Sequence, residues 1–177
     1  VAEELLATEV EPSRLCLEVT EADLITDTEM VVRQLARFKE LIENPLQIIV
    51  CDNASPDDSL DRLTAGLGRV IDTAAADWMR WGGAAGQWRL QRLSRRDVEA
   101  GRRSDAAIVL LDNGANLGFA GGNNPGLKLA LRRPDVDWFW LLNNDTEVDP
   151  RCLSASMACT HARPGIDLWG ATIVDHD

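Results

Sequence analysis

The sequence predicts a three-layer α/β protein with a mostly parallel, Rossmann-like sheet between helices. Four short apolar runs, at residues 14–21, 46–53, 106–113 and 137–144, have the length and composition of buried strands. Segments that carry helical spacing or helix-cap residues separate these runs. Strands that alternate with helices form parallel sheets with right-handed crossovers, which predicts the fold class.

The first predicted unit is a strand followed by a helix. In "RLCLEVTE", residues 14–21, Leu15, Leu17 and Val19 alternate with Cys16 and Glu18. The next segment, 26–42, places apolar residues at helical spacing, and Asn44-Pro45 ends it.

The second predicted strand is "LQIIVCDN", residues 46–53, and its continuous apolar run is typical of a strand covered on both faces. "NASPDDS" then predicts a turn and the cap of a helix over "SLDRLTAGLG". Residues 68–105 predict one or two short surface helices. Their tryptophans favour packing roles over a ligand platform. The arginines of this segment favour a solvent-exposed helix surface, and a phosphate-binding site is the alternative.

The third predicted strand, "AAIVLLDN", leads into the glycine-rich loop "GANLGFAGGNN" and a helix over "PGLKLALRR", with Pro125 in its first turn. "DWFWLLNN" is a fourth strand, residues 149–165 are a helix, and "IDLWGATIV" is a last strand. The length of 177 residues predicts a single domain over 1–177.

The charge composition limits the classes of partner that the sequence predicts. A formal net charge of −11 argues against nucleic acid, because binding phosphate backbones needs clustered cations. An acidic protein still binds a nucleotide when a divalent cation supplies positive charge.

No apolar stretch reaches the roughly 20 residues of a membrane span. Cys16 and Cys51 lie in apolar strands and are interpreted as reduced, which predicts a cytoplasmic protein.

Two acidic residues follow predicted strands, and this predicts a ligand site. Asp52 ends "LQIIVC", and Asp145 follows "WFWLL". Ligands of open α/β sheets lie beyond the carboxyl ends of the strands. Gly118, Gly121 and Gly122 allow close backbone approach, but the loop is neither a dinucleotide fingerprint nor a Walker loop. The alternative for either acid is a helix cap or turn former.

Three segments in order carry a family resemblance. "IIVCDNASPDDS", "NLGFAGGNNPGLKLAL" and "WFWLLNNDTEVDP" resemble the nucleotide-sugar-binding half of the inverting family-2 glycosyltransferases, closest to the rhamnosyltransferase-like branch. The resemblance covers about residues 46–177. It implies a GT-A fold, a donor sugar linked to dTDP or UDP, and Mg²⁺ or Mn²⁺.

The resemblance also implies site residues. Those that match substrate-binding positions are Asp52, Asn53, Asn116, Gly118, Asn123 and Asn143. Asp52 matches the acid that contacts the nucleotide base. Asn143-Asn144-Asp145 matches the D-x-D element of the family, with Asn143 in place of the first acid and Asp145 as the metal ligand. A cation there would stabilise the charge that develops on a leaving diphosphate.

Two departures from the family lead us to expect a truncated fold. The family opens with a strand and a "TYN"-like segment, and nothing like it precedes "LQIIV". The family also continues into an acceptor-binding half that carries the catalytic base, whereas this sequence stops at Asp177. Transfer activity is therefore left open. An uncovered edge of a truncated sheet also predicts a homodimer.

The N-terminal part carries a second resemblance. "EPSRLCLEVTEADLITDTEMVVRQLARFKEL" resembles one strand-helix unit of the EAL cyclic-di-GMP phosphodiesterases, over about residues 5–43. Glu18 matches a metal ligand there, and Glu21 a loop-organising residue. The E-A-L motif and the "DDFG" strand are absent, so phosphodiesterase activity is not expected. The combination suggests a chimera. The alternatives are a natural divergent first unit, a folded chimera without activity, and cyclic-di-GMP binding through Glu18 and Glu21.

Overall fold

A computed structural model describes residues 15–20, 47–80, 89–143, 146, 148–149, 151–165, 167–168 and 170–171 of the chain. The chain divides into two compact units. One is Pro12–Thr146, which contains the sheet, and the other combines Val1–Glu11 with Glu147–Asp177. The single domain expected from chain length stays a prediction.

The larger unit is built on a five-stranded sheet in the order β3-β4-β2-β1-β5, in which every neighbouring pair is parallel. The strands are β1 (Leu15–Thr20), β2 (Gln47–Asp52), β3 (Leu90–Ser94), β4 (Ile108–Asp112) and β5 (Trp138–Asn143). This confirms the predicted α/β, Rossmann-like fold with a parallel sheet.

Within the described residues, three helices connect these strands: α1 (Ser59–Arg80), α2 (Arg95–Glu99) and α3 (Gly118–Ala130). From β2 the chain runs through α1 to the edge strand β3, and it returns across the sheet through α2 to β4 and through α3 to β5. Because the crossovers are right-handed, these two directions place α1 on one face of the sheet and α2 and α3 on the opposite face. In agreement with this, α1 packs against β3 and β4, α3 packs against β1 and β2, and α2 contacts α3. In the smaller unit, α4 spans Cys152–Ala162.

The two central strands explain the continuous apolar runs of the sequence. All six residues of β2 are buried, and so are the first four of β4. Alternate residues of these strands, with residues of β3, α2 and α3, form one apolar cluster: Ile49, Cys51, Leu93, Val98, Ala106, Val109, Leu111, Leu129 and Ala130. On the opposite face, β4 packs against α1, which buries Leu63 and Leu67. The interior positions of both strands are therefore apolar on both faces.

The prediction for residues 68–105 was wrong in part. In the described residues, α1 continues to Arg80, β3 occupies Leu90–Ser94 and α2 follows it directly. The sequence pattern did not predict β3, because this strand lies at an edge of the sheet and Leu93 is its one fully buried residue. Trp81 and Trp88 lie outside the described residues.

The predicted start of the helix over 125–133 was also wrong. The structure begins α3 at Gly118, seven residues earlier, and ends it at Ala130. Pro125 is therefore a buried residue of the helix interior and not of its first turn. Proline lacks an N–H group, so the carbonyl of Gly121 loses its usual helical donor. The glycines and this proline concealed a helix whose first turns depend on tertiary contacts.

Some predicted elements receive no full test. The helix predicted over 26–42 lies outside the described residues. Of the last predicted strand, 166–174, the structure describes Asp167, Leu168, Gly170 and Ala171, which have no regular secondary structure. Among the helices of the described part, none has the length and apolarity that a membrane span requires.

One buried polar side chain links β2 to the chain segment before β4. Gln47 is 1% exposed, and its Nε2 donates to the carbonyl oxygens of Ser104, at 3.2 Å, and Ala106, at 3.0 Å. Two backbone acceptors beside the core therefore depend on a single side chain.

We expect Gln47→Leu to lower the free energy of unfolding by about 2 kcal/mol, because two buried carbonyls lose their donor. Urea denaturation followed by tryptophan fluorescence measures this change. Gln91→Leu is the comparison, because within the described residues the side chain of half-buried Gln91 bonds only to the Ser104 hydroxyl. Equal losses in the two variants would contradict a special role for Gln47.

A capping box starts α2. Ser94 Oγ accepts the Asp97 N–H at 3.2 Å, and Asp97 Oδ2 accepts the Ser94 N–H at 2.9 Å. The Ser94 hydroxyl also bonds to Asp97, and Arg102 lies 3.3 Å from the same carboxylate. The side-chain bond from Ser94, followed by its backbone bond and the Arg102 charge, lowers the pKa of Asp97.

Because the pKa of Asp97 is lower in the folded state, its carboxylate stabilises the fold above the ordinary value of 3.8, and this contribution disappears as the pH falls below it. We expect Asp97→Asn to lower the melting temperature at pH 7, with a difference from the wild type that shrinks in acid. Calorimetry of both proteins from pH 7 to below pH 3.8 measures this difference in melting temperature. A difference that does not change with pH would contradict the stabilisation by the Asp97 carboxylate.

Candidate functional site

The candidate site lies at the carboxyl edge, defined here as the sheet edge where all five parallel strands end. The residues that end the strands are, in spatial order, Ser94, Asp112, Asp52, Thr20 and Asn143. Asp52 is the register partner of Asp112, and Thr20 is the partner of Asn143. Polar side chains thus follow apolar strands at one edge of the sheet.

The sheet order defines where along this edge a ligand fits. The strands β2 and β4 lie on one side of β1, and β5 lies on the other. The chain crosses from β4 to β5 through α3, which packs on β1 and β2. This reversal of strand order next to β1 is a topological switch point, where open α/β sheets form a crevice. The start of α3 belongs to that crevice.

Asp52 is held in a tight turn at the end of β2. It is 3% exposed, and its two carboxylate oxygens lie 3.3 and 3.4 Å from the Ser55 N–H nitrogen. Its backbone carbonyl accepts the Asn113 N–H at 3.0 Å. Within this turn Ala54 has a φ of 68°, a left-handed conformation that strains a residue with a Cβ. Such strain often accompanies ligand sites.

Asn53 connects this turn to the start of α3. Its Nδ2 donates to Asn116 Oδ1 at 3.2 Å and to the Gly118 carbonyl at 3.3 Å, and its Oδ1 accepts the Leu117 N–H at 3.0 Å. The structure therefore brings together Asp52, Asn53, Asn116 and Gly118, four of the residues predicted from sequence. Gly118 has a φ of 67°, which glycine adopts without strain.

Two more buried amides hold the first turns of α3. Asn123, a predicted site residue, donates to the Phe119 carbonyl at 2.8 Å. Asn113 donates to the Gly122 carbonyl at 2.9 Å, and both asparagines are 2% exposed. Their Oδ1 atoms are buried and have no hydrogen-bond partner within the described residues. These acceptors lie close to the carboxyl edge.

Asp112 and Asn113 also belong to this edge and were not predicted from the sequence. Asp112 Oδ1 accepts the Gly114 N–H at 2.8 Å, and Arg92 lies 3.5 Å from its other oxygen. A signal was present: "IVLLDN" at 108–113 repeats the pattern of "IIVCDN" at 48–53. Both strands end in Asp-Asn, and the two aspartates are register partners.

Asn143 ends β5 on the far side of β1 from Asp52. Two strand spacings of about 4.8 Å place their backbones about 10 Å apart. The Asn143 carbonyl accepts the Thr146 hydroxyl at 2.6 Å, which closes a turn after the strand. Asp145, the predicted metal ligand, lies outside the described residues, as does Asn144. Within the described residues no three His, Cys, Asp or Glu side chains group together, so a Mg²⁺ or Mn²⁺ centre stays a prediction.

The residues that resemble an EAL unit enter the same sheet. Glu18 lies two positions before the end of β1, where it pairs with Ile49 and Leu141. Its backbone position is therefore inside the sheet and not at the carboxyl edge. Glu21 lies outside the described residues.

Comparison of the chain with protein-family models finds no match, and comparisons with curated proteins and with solved structures find none either. The fold and the site therefore define the class of protein. It is a parallel, Rossmann-like α/β protein with carboxylate and amide side chains at its carboxyl edge.

We expect Ala54→Gly to stabilise the protein by about 1 kcal/mol. The substitution removes left-handed strain of about 1–2 kcal/mol, and the greater freedom of glycine in the unfolded chain offsets part of the gain. Ala100→Gly is the matched control, because Ala100 is also exposed but has a φ of −72°. Urea denaturation of both variants measures the difference. A loss of stability in Ala54→Gly would show that its turn is unstrained.

Proposed function

We propose that this chain is the nucleoside-diphosphate-sugar-binding part of an inverting glycosyltransferase of the rhamnosyltransferase-like kind, with a donor linked to dTDP or UDP. One observation carries the proposal. Asn53 joins the turn that contains Asp52 to the start of α3, and this places a carboxylate and a helix N-terminus together at the switch point of the sheet.

The start of α3 supports binding of the diphosphate. The N-cap residue Leu117 makes no side-chain capping bond, Asn116 Oδ1 accepts, of the helix N–H groups, that of Gly118 alone, and the first turn contains no acidic residue. A helix N-terminus presents unpaired N–H groups and partial positive charge, which suits phosphate oxygens. Such neutral donors suit an anion without needing a cationic side chain, in a chain whose net charge is −11.

Asp52 supports recognition of the base. Within the described residues its carboxylate oxygens accept a hydrogen bond only from Ser55 N–H. A carboxylate offers about four acceptor positions, so capacity remains for a ligand that donates. The imide N–H of uracil or thymine is such a donor. Asp52 therefore fits the base, and the N–H groups of α3 fit the diphosphate.

The metal is a further part of the proposal. Asp145 would bind Mg²⁺ or Mn²⁺, and the Asn143 amide oxygen is of a ligand type that these cations accept. A bound cation would neutralise charge on the diphosphate. The helix start and the cation are separable contributions, since one depends on metal and the other does not.

The proposal concerns donor binding. Among the described residues we assign no catalytic base, and a folded chimera without transfer activity has the same donor site. A cytoplasmic location and a homodimer belong to the proposal as well. The free cysteines Cys152 and Cys159 are compatible with a reducing compartment. The position of Glu18 within β1 gives cyclic-di-GMP binding no comparable support.

We expect UDP or dTDP to raise the melting temperature, with Mn²⁺ increasing the effect. At a ligand concentration of 100 times Kd the stabilisation is about 2.7 kcal/mol. Asp52→Asn should weaken the shift, and Asp145→Ala should remove its Mn²⁺-dependent part. Asp105→Asn is the control, because this exposed aspartate precedes β4 at the opposite edge of the sheet. Differential scanning fluorimetry measures all four proteins.

Absence of a shift with either nucleotide, with or without Mn²⁺, would overturn the proposal and leave an inactive fold as the better account. A shift produced by cyclic-di-GMP and by neither nucleotide would favour a site at Glu18 and Glu21. Isothermal titration calorimetry with each nucleotide distinguishes these results.

A further inference from the structure

We propose that Asn53 is a positioning residue that holds the Asn116 side-chain amide with its nitrogen outward, so that Asn116 donates a hydrogen bond to ligand oxygen atoms. The ligand part of this inference rests on the proposed function, whereas the orientation of the amide does not. Asn53 thereby receives an indirect role in place of the direct substrate contact implied by the resemblance.

The oxygen of Asn116 is already engaged within the chain. Asn116 Oδ1 accepts from Asn53 Nδ2 at 3.2 Å and from the Gly118 N–H at 3.0 Å. No hydrogen bond within the described residues engages Asn116 Nδ2, and Asn116 is an exposed residue. The free end of this amide is therefore its nitrogen, which only donates.

Backbone groups set the orientation of Asn53 itself. The Leu117 N–H can only donate, and it bonds to Asn53 Oδ1 at 3.0 Å. The Gly118 carbonyl can only accept, and it bonds to Asn53 Nδ2 at 3.3 Å. A reversed amide would place oxygen against oxygen and N–H against N–H. The backbone of Leu117 and Gly118 thus orients Asn53, and Asn53 orients Asn116 together with the Gly118 N–H, which donates to the same oxygen.

A glycine makes room for this arrangement. A Cβ placed on Gly122 would lie 3.0 Å from Asn53 Cγ and 3.1 Å from both Nδ2 and Oδ1. Real Cβ contacts are rarely this short, so any side chain at residue 122 would displace the Asn53 amide. The close approach accounts for Gly122 inside a helix, where glycine is otherwise unfavourable.

The result is a defined chemical preference at the start of α3. Both N–H groups of Asn53 are used within the chain, so it has no donor left for a ligand. Asn116 precedes the start of α3 by two residues, and within the described residues the N–H groups of the first turn after Gly118 have no side-chain cap. The Asn116 Nδ2 and these N–H groups are all donors, so they select a ligand group rich in acceptor oxygens. A phosphate group has this chemistry.

The experiment uses Asn53→Asp, which keeps the side-chain shape and the bond from Leu117 but removes both donors. The carboxylate would repel Asn116 Oδ1 and accept from Asn116 Nδ2, which favours a reversed Asn116 amide at the cost of its bond from the Gly118 N–H. We expect UDP to bind about tenfold more weakly, the loss of roughly one hydrogen bond to a charged group. Asn124→Asp is the control, because it adds the same charge at an exposed asparagine of α3. Calorimetric titration with UDP measures both affinities.

Side-chain amide exchange measured by NMR tests the orientation without ligand. In the wild type we expect slow exchange for the Asn53 amide protons and fast exchange for those of Asn116. In Asn53→Asp the Asn116 amide protons should become protected. Protected Asn116 protons in the wild type would overturn the inference, even if the variant failed to fold.

The two proposals fail in different ways. If wild-type protein binds neither UDP nor dTDP, the proposed function is wrong, and the exchange data alone decide the orientation of Asn116. If UDP binds and Asn53→Asp weakens it no more than Asn124→Asp does, the positioning role is wrong while the donor site stands.

Discussion

Hydrogen bonds from two asparagines to the start of α3 are the contacts on which the carboxyl edge depends. Asn53 follows β2 and Asn113 follows β4, and both donate to backbone carbonyls in the first turns of the helix. Without them this segment is a poor helix, since each glycine costs about 1 kcal/mol relative to alanine and an interior proline about 3 kcal/mol. The sheet therefore supplies the order that the local sequence lacks.

Burial of the central strands makes these hydrogen bonds necessary. Because β2 and β4 are covered on both faces, their polar residues are confined to the strand ends, with Gln47 at the start of β2 and an aspartate at each carboxyl end. Asp52, Asn53 and Asn113 are nevertheless buried there, and a buried polar group is costly unless it is hydrogen-bonded. The loops after the strands provide most of the partners. The strained Ala54 is the local cost of turning the chain so tightly.

The carboxyl edge carries both hydrogen-bond acceptors and hydrogen-bond donors, a combination that suits the proposed nucleotide. Asp52 offers acceptors, whereas the start of α3 and the Asn116 nitrogen offer donors. An acidic chain gains little from long-range attraction of an anion, so short-range donors and a cation at Asp145 would have to do this work. The proposed division between base and diphosphate follows from these two kinds of group.

The sequence by itself determined β1, β2, β4 and β5 to within a residue or two, because buried parallel strands are apolar at nearly every position. It also determined Asp52 and the glycine loop as candidate site residues, since strand ends of a parallel sheet share one edge. Only the tertiary structure decided β3, whose edge position leaves Leu93 as its one fully buried residue, and the start of α3. The role of Asn113 and the orientation of Asn116 also required it, because hydrogen bonds between distant residues depend on which strands are neighbours.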